Sequence, residues 1–205
     1  MKRPAAVSLI AVSFGLAALP ARAADSDADF VKMAASAGMM EVELGKHASA
    51  HAENSDVRAF GKRMAEDHSA AGRELEKVAA SQGLAVPKQM TDDNRKEVEN
   101  LSTKRGKEFD EKYMGDMVDG HEHVVEAFRE QAAEGKTAVD RFAAKTLPTL
   151  ESHLAQAKAI DKKLEDTDDD ENASTRPRED IPPVGTGPRE EPGALKETLP
   201  GTQLP

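Results

Sequence analysis

From Asp27 to Leu164 apolar residues recur three and four positions apart with few interruptions. This is the spacing of one face of an α-helix, and a strand cannot use it. The first run, from about Asp27 to Ala52, carries Phe30, Ala34, Ala37, Leu44 and Ala48. A second follows an N-cap at Asn54 or Ser55, carries Val57, Phe60, Met64, Ala71, Leu75 and Val78, and stops near Gly83 before Pro87. Thr91 can cap a shorter helix to about Leu101, with a break near Gly106. The third long run holds Phe109, Met114, Met117, Val124 and Phe128 and ends by Gly135. The fourth begins after Lys136 or Thr137 and holds Val139, Ala143, Leu147, Leu150, Ala157, Ile160 and Leu164. Pro148 lies inside it, removes one backbone hydrogen bond and is expected to kink the helix. Four helices of roughly 25 to 29 residues with short connections predict an all-α, antiparallel four-helix bundle about 40 Å long. An extra short helix lies between the second and third. Gly38, Gly45, Gly61, Gly72 and Gly115, on or near the seams, are expected to let helices approach closely.

The two ends of the chain lack this period. Lys2 and Arg3 precede an apolar stretch from Ala5 to Leu19, and Ala21-Arg22-Ala23 fits a small-x-small cleavage site. Residues 1–23 therefore read as a signal peptide cleaved after Ala23, with export to the periplasm. With no Cys in the chain there is neither a lipid-anchoring residue nor a disulfide, so the exported domain depends on packing. From Asp166 onward the sequence is acidic and then Pro/Gly-rich, holding seven of the eleven prolines. Such a segment buries too little apolar area to offset its ordering entropy, so residues 166–205 read as a disordered tail, a spacer or wall contact. Residues 24–165 are left as the folded domain. The chain carries 28 basic and 38 acidic residues, a net −10, which argues against nucleic acid or an anionic membrane surface as partner. Only 3% of residues are aromatic, which excludes an aromatic-rich β-sandwich.

The informative residues are the polar ones inside apolar stripes. His68 falls between Met64 and Ala71, His121 between Met117 and Val124, His153 between Leu150 and Ala157, and Glu41 between Ala37 and Leu44. Counted from the turns near residues 53 and 136, the members of each pair lie within a few Å of the same height, about 12 to 17 residues from the turn. One carboxylate and three imidazoles meeting in a core form a ligand set for Zn, Mn, Fe or Cu. A buried hydrogen-bonded network of the same residues is the other reading, since each group buried without a partner costs about 1–3 kcal/mol. Met33, Met40 and His47 define an alternative inward stripe for the first helix.

Taken in order, Met39-Met40-Glu41-Val42-Glu43-Leu44-Gly45, Met64-Ala65-Glu66-Asp67-His68, Phe109-Asp110-Glu111-Lys112-Tyr113 with His121, and Leu147-Pro148-Thr149-Leu150 with His153 resemble an exported family called the domain of unknown function 4142. The resemblance spans about Asp29 to Leu164 and implies a ferritin-like four-helix bundle. Members are often labelled outer-membrane proteins, yet no segment has the alternating ten-residue strands of a barrel. Ferritin-like di-iron centres need Glu-x-x-His on two helices, and here the positions three before His68, His121 and His153 are Ala65, Val118 and Leu150. Iron storage is therefore not expected. Asp67 lies about 100° around the helix from His68 and does not share its seam. Asp67, Asp110 and Tyr113 read as hydrogen-bonding or end-packing groups around the centre.

Other signals are weaker. His47 and His51, one turn from each other with Glu43 before them, could hold a surface cation, but a solvated helix face explains them. The methionines at 33, 39, 40, 64, 114 and 117 suit copper or one side of a haem, yet at helical spacing they are ordinary core filler. No Ser-His-Asp order, phosphate loop or nucleophilic Cys occurs. Two functions remain: a non-enzymatic envelope or stress-related protein acting through its surface and tail, or a metal-binding bundle for sequestration or redox protection. Envelope proteins, the cell wall or a second copy of the chain are the partners such a protein could take.

Overall fold

The computed structural model describes the backbone of residues 21–175 and the side chains of residues 26–166. Five helices follow in order: α1 (Ala21–His51), α2 (Ser55–Ser81), α3 (Asp92–Thr103), α4 (Gly106–Glu134) and α5 (Ala138–Thr175). No strand occurs among the described residues. Most of the expected leader and the last thirty residues of the expected tail lie outside the described residues, but Asp166–Thr175 are helical and extend α5. The composition that suggests a tail there contains no Pro or Gly before Pro177, so nothing in the backbone stops a helix already anchored by packing.

The local signals act where the sequence places them. Asn54 caps α2 by accepting from the backbone N–H of Asp56 at 2.7 Å and Val57 at 3.4 Å. Asp110, on α4, accepts from the N–H groups of Glu53 and Asn54 at 3.1 and 2.5 Å and so ties the α1–α2 turn to the start of α4. Thr91 caps α3, and its own N–H donates to Ser36 Oγ on α1 at 2.9 Å. α4 ends on Gly135, whose φ of 66° is the left-handed conformation glycine adopts without penalty. Thr137 and Asp140 then form a reciprocal cap at the start of α5. Gln131 donates to Asp140 at 2.6 Å and to Asp27 at 2.8 Å, which fastens the beginning of α1 to the α4–α5 turn. Sequence reading missed this buried trio. Pro148 sits exposed within a continuous α5, where the carbonyl that lacks its donor belongs to exposed Ala144 and can turn to water.

The apolar interior forms a pair of clusters. One, nearest the α1–α2 turn, includes Leu44, Phe60, Met64, Phe109, Met117 and Ile160. The other, nearest the α4–α5 turn, includes Val31, Leu75, Val125, Phe128, Phe142 and Leu150. Membership of these clusters fixes the helix directions: α2 and α4 run the same way, and each is antiparallel to α1 and α5. The segment carrying α3 therefore travels along the bundle as a single long crossover. The expected periodicity slips in places. Val125 is buried in preference to Val124, and Val31 and Ala35 in preference to Ala34.

Only some of the glycines expected to bring helices together do so. A Cβ on Gly45 would lie 2.7 Å from the carbonyl oxygen of Gly61, and one on Gly61 would lie 2.6 Å from Ala48 Cβ and 2.8 Å from Gly45 O. Gly38, Gly72 and Gly115 have nothing within 4 Å, because a seam position permits contact only where the axes actually cross. Gly61→Ala must push the α1 and α2 backbones away from each other and is expected to destabilise the fold by about 1–3 kcal/mol. Gly115→Ala removes a glycine from open helix and is expected to stabilise by about 0.5–1 kcal/mol. Urea unfolding of the two variants measures both.

Candidate metal centre

Between the two apolar clusters lies one polar layer. Each long helix contributes a single residue to it: Glu41 from α1, His68 from α2, His121 from α4 and His153 from α5. Their exposures are 2%, 7%, 0% and 0%. The flanking core residues show how a helical period produces this. On α2 the inward sequence is Met64, His68, Leu75, and on α4 it is Met117, His121, Val125, so the polar residue takes a core position and cannot turn away from it.

The three imidazoles form a triangle with ring centroids 5.3 Å (His68–His153), 5.6 Å (His121–His153) and 5.8 Å (His68–His121) apart. One ring nitrogen from each lies within 4.8 Å of those of the other two. Glu41 reaches into the same space. Its Oε2 is 2.8 Å from His68 Nε2, and its Oε1 is 3.8 Å from His121 Nδ1.

Hydrogen bonding around the layer is directional. His121 Nδ1 lies 2.9 Å from the Met117 carbonyl, a pure acceptor, so Nδ1 carries the proton and Nε2 keeps its lone pair. His153 Nε2 donates to Asp67 Oδ2 at 2.8 Å, which leaves Nδ1 as the lone-pair nitrogen. Asp67 thus sits off the His68 seam, as its angle requires, and its partner is the histidine of the neighbouring helix. Arg63 Nε holds the same Asp67 oxygen at 3.3 Å and anchors to Gln156 at 2.8 Å. Carboxylates and carbonyls behind histidines in this way fix tautomers and aim rings in metal sites. Tyr113 makes no such contribution: it is fully buried, its ring stacks on Phe109 at 5.5 Å, and its hydroxyl has no hydrogen-bond partner.

Four buried atoms at the centre also lack a hydrogen bond of acceptable geometry: Glu41 Oε2, His68 Nε2, His121 Nε2 and His153 Nδ1. Glu41 Oε2 and His68 Nε2 lie 2.8 Å from each other as an ion pair, so the atoms left with nothing opposite them are His121 Nε2 and His153 Nδ1. A network built only for hydrogen bonding would pair these atoms, since each orphan costs about 1–3 kcal/mol. An ion at the centre would take these two lone pairs together with a nitrogen of His68, whose proton it would displace. Tetrahedral donors at ordinary zinc–nitrogen distances lie about 3.4 Å apart, so nitrogens spread over at most 4.8 Å need close by only about 1.4 Å. The three histidines could therefore hold a single transition-metal ion.

Electrostatics separates the four groups. Burial pushes His153 down to about 4, outweighing the Asp67 bond. Burial also lowers His121. Burial opposes charge on His68 too, but the Glu41 carboxylate prevails and holds His68 above the ordinary 6.5. Burial raises Glu41, while the facing histidines, His68 foremost, bring it below the usual carboxylate range. Two neutral imidazoles and an ion pair are thus the metal-free state near neutrality.

A helical bundle with a buried three-histidine, one-carboxylate layer is the class these observations define. The family described as "Domain of unknown function (DUF4142)" matches residues 15–160, and the chain belongs to that family. A crystal structure of a DUF305 fragment from Deinococcus radiodurans is similar, with a TM-score of 0.59 and 14% identity, covering 67% of this chain and 96% of that one. At that identity the likeness concerns the fold alone. No curated protein matches the chain.

Two measurements on the metal-free chain follow. Replacing the whole layer (Glu41→Met with Leu at His68, His121 and His153) is expected to leave stability equal or raise it by about 1–4 kcal/mol, whereas Glu41→Leu alone costs about 1–3 kcal/mol. A quadruple variant less stable than the parent would make the layer a source of stability. The second concerns pH. His121 and His153 have lowered pKa values, so their contribution is full above 6.5 and is lost as pH falls, toward about 4 for His153. His68 has a raised pKa, so its contribution is full below 6.5 and is lost as pH rises through the folded value. The contribution of the layer to stability therefore peaks near pH 6.5, and His153→Leu is expected to flatten the acid branch by up to about 3 kcal/mol.

Proposed function

We propose that this protein binds one transition-metal ion per chain through Glu41, His68, His121 and His153. The observation that carries the reading is the buried trio of imidazoles from three helices, one ring nitrogen of each within 4.8 Å of the others, with the Glu41 carboxylate beside them. Three imidazoles and one carboxylate favour Zn, Cu or Fe, with Mn accepted more weakly, over the all-oxygen preferences of Mg and Ca. The missing Glu-x-x-His pairs support a single ion and not a di-iron centre. Asp67 and the Met117 carbonyl orient two of the ligands. The role is sequestration of the ion or redox protection. The single long crossover supports a ferritin-like reading of the bundle. We further propose that the chain works after export and cleavage behind Ala23, a cut that trims only the first residues of α1 and leaves Asp27 in its contact with Gln131. No helix among the described residues is long and apolar enough to cross a membrane.

The test is elemental analysis of the untagged chain purified from a periplasm, with intact mass read on the same sample. About one ion per chain is expected, together with a rise in stability of about 2.7 kcal/mol when free metal reaches a hundred times its dissociation constant. His68→Ala/His121→Ala is expected to lose the ion. A chain that contains no metal and takes up none of Zn, Mn, Fe or Cu overturns the reading and leaves an envelope role exercised through the surface.

A further inference from the structure

The four groups of the polar layer are at most 7% exposed, so an ion reaches them only when some part of the bundle moves. Three sides of the layer are closed by helix against helix. α1 and α2 meet backbone to backbone at Gly45 and Gly61, α4 and α5 pack along their length, and Arg63–Gln156 and Asp67–His153 bonds join α2 to α5. The fourth side differs. α1 and α4 touch each other only sparsely, and α3 packs on both, its Leu101 in one cluster with Leu44 of α1 and Phe109 of α4. Thr91 and Asn94 bond to Ser36, and α3 leads from there to the start of α4 beside the α1–α2 turn, so it runs parallel to α1. Counting along the two axes from Ser36, α3 passes the height of Glu41 at about Glu97 and Val98.

α3 is also the helix with least to hold it. Its 12 residues are too few for a stable isolated helix, and Leu101 is its one buried residue, with Val98 partly covered. Two polar clasps add to this. On the α1 side, Ser36 Oγ accepts from the Thr91 N–H and from Asn94 Nδ2, each at 2.9 Å. On the α4 side, Lys112 pairs with Asp116 and lies 3.6 Å from Glu97 of α3, in a half-exposed position where such a pair contributes little. Gly83 (φ 69°) and Gly106 (φ 58°) flank the segment, left-handed glycines at which it can pivot without disturbing α2 or α4. We infer that α3 is a strap that lifts from the α1–α4 face and so forms the entrance of the ion to the layer. The entrance rests on the metal reading above, and the lifting does not.

The chain has no Cys, so Ser36→Cys with Thr91→Cys permits a single cross-link, at a place where the present hydroxyl oxygens are 3.3 Å apart. The oxidised form, its thiols shown by intact mass to be consumed, pins α3 shut, and Ser36→Ala loosens it. Zinc uptake by both and by the unaltered chain is timed against a chromogenic chelator, and helicity checks that each variant folds. Uptake is expected to be at least about tenfold slower in the cross-linked form and about fivefold faster in Ser36→Ala, with the final zinc content unchanged. Amide exchange of the metal-free chain is the second measurement. Residues 92–103 are expected to exchange through an opening that leaves the four long helices protected. Equal uptake by the cross-linked and unaltered chains overturns the inference and moves the entrance elsewhere, first to the cavity of about 360 Å³ that Gly38 and Gly72 line between α1 and α2. Exchange of α3 only in step with the long helices overturns it as well. A chain that takes up no zinc overturns the metal reading and the entrance with it, whereas exchange of α3 alone in that chain supports the lifting.

Discussion

Four ionisable side chains crossing the bundle at a single level set the terms for the rest of this structure. An apolar core gains nothing from them, since desolvating a carboxylate and three imidazoles costs several kcal/mol before any contact is made. The layer divides the interior into an apolar cluster on either side, and in each long helix the polar position falls between residues of one cluster and residues of the other. Its outer contacts are correspondingly strict. Arg63, Asp67 and the Met117 carbonyl hold two of the rings from behind, while the inward-facing nitrogens of those two rings are left without hydrogen bonds.

Much of this could be read from the sequence, for a definite reason. A polar residue at a heptad-like core position breaks a pattern that is otherwise unbroken, so Glu41, His68, His121 and His153 stand out on their own helices, and counting from the turns gives their common height. What could not be read depends on relations between helices. Asp67 sits one residue from His68, yet its partner is on α5, and nothing on α2 alone points across to His153. The glycines look alike in sequence, but Gly45 and Gly61 lie at a crossing point whereas Gly38 and Gly72 border a void, and the crossing point belongs to the pair of helices. The trio of Asp27, Gln131 and Asp140 joins three elements, and no one of the three helices announces it.

α1 and α2 combine contact and separation within one helix pair. Backbone meets backbone at Gly45 and Gly61, which fixes the pair near its turn. Farther along, small residues leave room beside the layer, and the α2–α3 connection closes some of it with Val86 and Pro87.

Tyr113 has a use that its buried position creates. The chain contains one Tyr and no Trp, so its near-ultraviolet signal comes chiefly from a single ring, stacked on Phe109 within the cluster nearest the α1–α2 turn. The other cluster, across the polar layer, has no such chromophore. Absorbance or emission from Tyr113 therefore follows the melting of one half of the interior, and a global probe such as helicity follows both. The interval between the two curves is a direct reading of how firmly the layer couples the halves.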